Sequence, residues 1–428
     1  MSILEETLRE TGSLPSVRAT RGTSRRTLRP VAAFVGSALA FVAVAFSVGA
    51  PSPLFVLYQH EWGFADWMLT VAFAIYAITL LVTLLVAGSL SDHIGRRPVL
   101  IGGLGLIIGA MVLFLFAQDI AWIVVARAVQ GVGTGAAMAT FSASLVELAP
   151  ERHKKLGAVI GSTAPIGGIA LGAFITGLVV QFSAQPTVWI FSALTLTFAA
   201  ALLVVVGSRE TVERRPGAVR SLIPRLLIPQ AARREFFGAL PLLVAAWMLS
   251  GLFIGLAPSI VRGVFHLESG LVNGAVVALA PAVGAAAGLV LSRFPARLST
   301  IWGSAAIVVG VALTIVSVTA DSLWLLFVAS AVGGGGFGAA FSAAMRILAP
   351  LAPTHQRAEL FAGVYLVNYL AYGVPALAAG ELIGVVGLVP TVIWYSGAIA
   401  VASVLAIAAQ VTLLRMRRVG STQSATRR

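Results

Sequence analysis

Twelve stretches of mostly apolar residues run through this chain, each about as long as a membrane crossing requires, near residues 31–57, 67–90, 98–117, 120–146, 156–181, 187–207, 236–261, 269–292, 299–319, 322–348, 358–381 and 388–413. About 20 helical residues cross a hydrocarbon core of roughly 30 Å. Lipid also demands that every backbone polar group be satisfied within its own segment, which a helix does. The expected class is therefore an all-α polytopic membrane protein with 12 spans. Composition excludes a soluble globule: 11% of residues are charged, against about 25% in an ordinary soluble domain. With no cysteine and five scattered histidines, there is no framework for disulfides or a metal cluster. No metal or organic cofactor is expected. The net charge of +13 does not point to nucleic acid, because the charges lie in the connections between apolar segments, where they set topology.

Of 29 basic residues, 27 fall in the even-numbered connections and the two tails. Only Arg262 lies in an odd connection and only Arg127 inside a span. Cytoplasmic loops are the basic ones, so both termini are expected in the cytoplasm of a cell whose plasma (inner) membrane the chain crosses. Trp62, Trp67, Trp122, Trp189, Trp324 and Trp394 fall near the opposite helix ends, as an interfacial belt would. The apolar segment after Arg29 is too long for a signal-peptide core, so no cleaved signal is expected. The longest internal connection divides six spans from six. Shifting the numbering by 200 aligns Val132–Pro150 with Val332–Pro350 at ten of nineteen identical positions, including Phe-Ser-Ala and Leu-Ala-Pro blocks in register. The organisation expected is a basic tail (1–30), a six-helix half (31–207), a central loop (208–235), a second half (236–413) and a short mobile polar tail (414–428). Paired repeats of this kind place a site near the midplane, exposed alternately to each side.

Between the second and third spans stands Gly88-Ser-Leu-Ser-Asp92-His93-Ile-Gly95-Arg96-Arg97-Pro98. It resembles the loop motif of major facilitator superfamily transporters, Gly-x-x-(Ser/Ala)-Asp-(Arg/Lys)-x-Gly-Arg-(Arg/Lys)-(Pro/Thr), and departs from it only at His93, where the family usually has a permanent cation. The resemblance implies a conformational latch built from Gly88, Asp92, Gly95, Arg96 and Arg97, with Asp92 contacting the start of the eleventh helix. Glu147, at the same end of the fourth helix, is a candidate partner for the arginines. A carboxylate near a helix N-terminus is worth roughly 0.3–1 kcal/mol.

Arg127 lies seven residues past Ile120, about 10 Å along the helix, where insertion costs an arginine roughly 2.5–3.5 kcal/mol. The run Arg127-Ala-Val-Gln130-Gly131-Val-Gly133 is similar to the Arg-x-x-Gln-Gly-x-Gly motif of the drug/proton antiporter branch, where the arginine is linked to proton transfer. Its bland alternatives are snorkelling to the outer headgroups and a structural bond to a neighbouring carbonyl. The fifth segment, with Gly161, Pro165, Gly167, Gly168 and Gly172, resembles that branch's helix-packing motif imperfectly, Ala164 standing where the family has glycine. Small residues let helices pack closely in lipid. Tyr76, Thr79, Gln130, Gly131, Thr134, Asn273, Asn368, Tyr369 and Tyr372 are further coupling or substrate-binding candidates, Asn368 and Tyr372 sharing a face at i, i+4. Ser52 and Pro53 suggest a broken end to the first helix.

All sixteen acids fall in tails, loops or helix ends. A proton coupled through this chain would have to use a boundary acid such as Asp66, Asp92, Glu147 or Glu381, or rely on Arg127 as a responsive counter-charge. The expectation is a secondary transporter that exports small hydrophobic molecules by alternating access against a proton gradient. Its alternatives are an uptake symporter or uncoupled facilitator of a small anionic metabolite, and a transporter-like sensor or scaffold. The expected partners are a small-molecule substrate and the bilayer; an enzyme is not expected, and a monomer already contains the pathway.

Overall fold

The computed structural model describes residues 28–87, 90–150, 154–212, 215–222, 228–353 and 356–425. Twelve helices among them are long and apolar enough to cross a membrane. Numbered as spans, 1 to 6 are Pro30–Trp62, Trp67–Val86, Arg96–Leu115, Ile120–Leu148, Thr163–Phe182 and Pro186–Gly207. Spans 7 to 12 are Gln230–Gly263, Gly270–Arg293, Ala296–Thr319, Leu323–Leu351, Glu359–Val386 and Leu388–Met416. Span 1 starts and span 12 finishes at one end of the bundle, hereafter the basic end, where Leu28 N–H bonds the Gly207 carbonyl at 2.9 Å.

Local chemistry fixes several boundaries. Asp119 caps span 4, its carboxylate accepting from the Ala121 and Trp122 N–H groups at 2.9 and 3.2 Å; this satisfies donors that have no partner inside the helix. Ser269 caps span 8 through the Val272 N–H at 3.3 Å. Gly95, at φ 102°, turns the chain into span 3, a backbone shape that a side chain disfavours. Trp67, Trp122, Trp189, Trp324 and Trp394 are exposed at the end opposite the basic one, and Trp62 stacks on Tyr58 there.

The first span is divided beside its prolines, as the sequence suggests, into helices Pro30–Gly49 and Pro51–Trp62 joined at Ala50, whose dihedrals stay helical (φ −57°, ψ −39°). A proline at a helix's first position removes an N–H that would have no partner anyway. Two other boundaries differ from the sequence expectation. Span 7 begins at Gln230 rather than 236, because its first turn is polar yet helical behind Pro229; Glu235, expected in a loop, is therefore buried inside it. The last helix continues to Ala425, where a mobile tail was expected. Apolar runs mark where hydrocarbon ends, whereas a helix continues into water until a breaker stops it.

One core lies chiefly within spans 1–6 and takes in Ile254, Val277 and Ala278 of spans 7 and 8, and a second lies within spans 7–12. The 200-residue offset holds in three dimensions: Arg97 and Arg297 are each the second residue of their span, 3 and 9. The halves meet chiefly through span 5 against span 8 and span 2 against span 11. In the first contact Gly177 faces Gly270 and Gly274 with no room for a Cβ, 2.6 Å from the Gly270 oxygen. In the second, Gly380 leaves space that Thr70 fills, and Gly373 faces Ala77. Cross-half hydrogen bonds occur at the same far end. Ser52 Oγ donates to the Ile254 carbonyl at 3.0 Å, within a π-helical turn at Leu252–Leu256. Arg262 donates to Gln59 Oε1 at 3.1 Å and Ser269 Oγ to Gln181 Oε1 at 2.9 Å. This conformation is fastened at the end remote from the termini.

Candidate functional site

In span 4, seven residues past its start at Ile120, Arg127 is 1% exposed. It does not snorkel. Its Nη1 donates to Gln130 Oε1 at 2.7 Å and its Nε to the Ala72 carbonyl of span 2 at 3.4 Å. The Tyr76 ring covers the guanidinium, with Cζ 3.9 Å from its centroid, and Phe73 stands at 5.6 Å. Gln130 is held in turn by its Nε2 donating to the Ser47 carbonyl of span 1 at 2.6 Å. Gly131 lets spans 2 and 4 approach this closely: a Cβ there would sit 2.6 Å from the Tyr76 oxygen. Arg127, Gln130, Gly131 and Tyr76 thus form one unit joining three spans. Thr134 is buried beside Tyr76, while Thr79 bonds within its own helix to the Ile75 carbonyl at 2.8 Å.

The second half faces this unit with rings. Tyr372 belongs to span 11, which packs on span 2 with Gly373 facing Ala77, the residue after Tyr76. The Tyr372 ring is 6.3 Å from that of Trp247 in span 7, which also touches Tyr369, Phe341 and Phe337 at 5.0, 6.1 and 6.2 Å. Asn368 is fully buried. With its amide oriented so that the oxygen faces the indole, Trp247 Nε1 donates to it at 3.2 Å and the amide nitrogen donates to the Val364 carbonyl at 3.3 Å. Asn368 and Tyr372 do share a face, and Asn368 fixes the tryptophan. Trp247, invisible as a site residue in the sequence, is the hub of the second half's contribution.

Asn273 does not join them. It sits in the first turn of span 8, its Nδ2 bonding the Ser269 carbonyl at 3.1 Å. There it lines a crevice of about 110 Å³ at the far end, with His60, Arg262 and Glu268. Polarity within a span marked it as a candidate, but its depth in the bundle is set by the cap at Ser269.

At the basic end, Gly88 lies outside the described residues. Arg96 pairs with Asp92 at 2.6 Å and Glu147 at 3.1 Å, and donates to Ser91 Oγ at 2.6 Å. Arg97 donates to the Val206 carbonyl of span 6. Glu210, which no local pattern marks, accepts the Arg96 and Arg97 backbone N–H groups on its carboxylate at 2.8 and 3.0 Å. It caps span 3 from 114 residues away, where the helix dipole favours an anion. A Cβ on Gly95 would meet that carboxylate, 2.8 Å from its carbon, so both the dihedral and the space require glycine. All these bonds lie in the first half and the connection that follows it. Asp92, 57% exposed, has its described ion pair with Arg96 rather than at the start of span 11, as the resemblance implied; the halves here are fastened at the opposite end. The second half has its own staple, Arg297 pairing with the buried Glu235 and donating to Gln410 Oε1 of span 12 at 3.3 Å.

Of the fifth-span motif, Gly168 and Gly172 pack on span 1, a Cβ on the former lying 2.8 Å from the Val42 oxygen and one on the latter meeting Phe46. Gly161 approaches Ser142 of span 4, and Pro165 lies within the continuous helix Lys154–Phe182. Gly167 does not pack: nothing lies within 4 Å of its Cβ position. One residue of offset turns it about 100° away from the face of Gly168 and Gly172.

Two six-helix halves that meet at a buried cation and a ring cluster have the architecture of a membrane transporter. The chain belongs to the Major Facilitator Superfamily, whose family model matches residues 37–316. It is 28% identical over 183 residues to the inner membrane transport protein YajR of Escherichia coli, covering 41% of this chain and 39% of that one. It is 26% identical over 210 residues to the multidrug resistance protein MdtL of Escherichia coli, covering 48% and 52%. The matches thus span about half or less of these relatives. Among solved structures, a peptide transporter POT superposes with TM-score 0.70 at 16% identity over 89% of this chain and 94% of that one. A POT family transporter in complex with 5-aminolevulinic acid gives TM-score 0.71 at 12% identity, over 89% and 96%.

Proposed function

We propose that this chain exports small hydrophobic molecules by alternating access, in exchange for protons, across the plasma (inner) membrane of a prokaryote-like cell. The basic end is then cytoplasmic, following the rule that cytoplasmic loops carry the excess of Lys and Arg, and the conformation described is closed to the exterior. The observation that carries the reading is the central site itself. A ring cluster from spans 7, 10 and 11 faces the Arg127 unit of spans 1, 2 and 4, at the seam between halves that are bonded at one end. Likeness to MdtL and the Arg127–Gly133 run support the outward direction. In the opposite state, Asp92 leaves Arg96 for the start of span 11 and fastens the cytoplasmic end. One chain holds the whole pathway and works as a monomer.

An uncoupled facilitator, or an uptake symporter, of a small anionic metabolite is the second reading, and one observation favours it: every acid among the described residues lies within about two turns of a span end. Exchange for protons therefore uses a boundary carboxylate from among Asp66, Asp92, Glu147 and Glu381. The test is flux through purified protein in liposomes under an imposed pH gradient, with a panel of fluorescent lipophilic substrates and lumenal pH recorded together. Substrate movement matched by opposing proton movement, uncoupled in Arg127→Ala, supports the exchanger. Substrate that equilibrates without proton movement establishes the facilitator.

A further inference from the structure

Arginine holds its proton at neutral pH, so burying Arg127 buries a full positive charge. Such a charge is ordinarily balanced by a carboxylate. The pairs of Arg96 with Asp92 and Glu147, and of Arg297 with Glu235, lie at the basic end, and no carboxylate among the described residues pairs with Arg127. The side chain packed on the Arg127 guanidinium is the uncharged ring of Tyr76, with Cζ 3.9 Å from its centroid. The hydrogen bonds of Arg127 come from Nε and Nη1 and end on neutral oxygens. Nη2 has no acceptor, and one guanidinium face is already closed by Tyr76. A planar cation with one free edge is a partial fork for an oxyanion, since guanidinium binds carboxylates through paired N–H groups.

The surroundings specify the rest of the ligand. Span 11 packs on span 2 next to Tyr76, Gly373 facing Ala77, and its Tyr372 meets Trp247, which also meets Tyr369, Phe337 and Phe341. Trp247, Tyr369, Phe337 and Phe341 are only partly buried although they lie mid-span. Aromatic surfaces of this kind take flat apolar bodies by offset or edge-to-face contact. Arg127 belongs to the first half and the ring cluster to the second, so a ligand that engages both spans the seam that alternating access must open and close.

We infer that the transported molecule is an amphipathic organic anion, its carboxylate held by the free edge of Arg127 and its aromatic or alkyl body lying against Trp247, Tyr369 and Tyr372. This rests on the transporter reading and names its substrate class.

The probes are 4-phenylbutyrate, its uncharged amide and the corresponding amine, which share one body and differ in charge. Binding to the purified full-length protein is followed by quenching of tryptophan fluorescence and by thermal stabilisation, in wild type and in Arg127→Gln. We expect the carboxylate to bind at least tenfold more tightly than the amide, as a charge-assisted hydrogen bond gives roughly 10- to 100-fold. That preference should vanish in Arg127→Gln. Should the variant fail to fold, the wild-type preference alone decides. Equal or tighter binding of the amide or amine, binding of none of the three at millimolar concentration, or an unchanged anion preference in a folded Arg127→Gln overturns the inference. Counterflow in liposomes separates it from the transporter reading: flux of cationic or neutral lipophiles without flux of 4-phenylbutyrate defeats the anion assignment and leaves the transporter standing. A purely structural Arg127 would lower thermal stability on substitution without moving the order of the three probes.

Discussion

Gly131→Ala adds one methyl group where spans 2 and 4 touch. The added Cβ would lie 2.6 Å from the Tyr76 carbonyl oxygen and 3.1 Å from the Leu80 nitrogen, where ordinary contact begins at 3.4 Å. Backbone atoms cannot rotate away, so the two spans must separate by about 0.8 Å at this level. Overpacking of this kind costs about 1–3 kcal/mol, a roughly 5- to 150-fold shift in the unfolding equilibrium. The displaced backbone belongs to Tyr76, whose ring lies 3.9 Å from the Arg127 guanidinium, so ligand affinity should fall together with stability. Gly167→Ala is the matched control, because its Cβ enters open space and alanine favours the helix by up to about 1 kcal/mol. Denaturation midpoints of the two purified variants in one detergent, with ligand titrations on each, provide the comparison. Gly131→Ala as stable as wild type, or Gly167→Ala destabilised to the same degree, would refute the packing argument.

Other expectations follow from the two ends of the bundle. Asp92→Asn should sharply reduce transport while leaving insertion and folding intact, read by flux and by chromatographic monodispersity; normal flux would remove Asp92 from the latch. Arg297→Ala removes the guanidinium paired with the buried Glu235 and should cost up to about 3–5 kcal/mol; a loss below 1 kcal/mol in a denaturation titration would mean the pair matters little. Because the chain contains no cysteine, Asn273→Cys, at a position 2% exposed, reports on the far end through its rate of maleimide labelling. Adding Arg262→Ala removes the bond to Gln59 and should raise that rate roughly tenfold, since a hydrogen bond to a charged group is worth about 1.5–3 kcal/mol; no change would show that this bond does not fasten the halves.

The apolar segments made all twelve spans legible, because hydropathy measures what lipid itself selects. Arg127 was legible for the same reason, as a charge where charge is expensive. Gln130 and Gly131, read beside it, prove to be the residue that holds its guanidinium and the one that lets Tyr76 reach it. What stayed hidden depends on how separate segments meet. Glu210 is one acid in a basic connection, and only the fold brings it to the start of span 3. Arg262 and Gln59 are unremarkable until the halves close at the far end. Trp247 looked like one more apolar residue, though Asn368 was marked for the face it shares with Tyr372. Gly167 and Asn273 misled in the opposite way: their residue types suited a motif and a polar cavity, but helical phase turned one toward open space and helix depth placed the other at the rim. The far-end closure belongs to one arrangement of two rigid halves, and a local pattern carries no record of it.

Alternating access is the central claim, and distances between spin labels in lipid test it most directly. One cysteine pair, Gln181→Cys with Ser269→Cys, spans the seam at the far end, and another, Leu156→Cys with Val290→Cys, spans spans 5 and 8 at exposed positions of the basic end. The account predicts a short far-end distance with a long basic-end distance in the state described here, and a second population with the two reversed that grows when a transported ligand is added. Distances that stay single and unchanged at both ends, or that lengthen and shorten together, would contradict it.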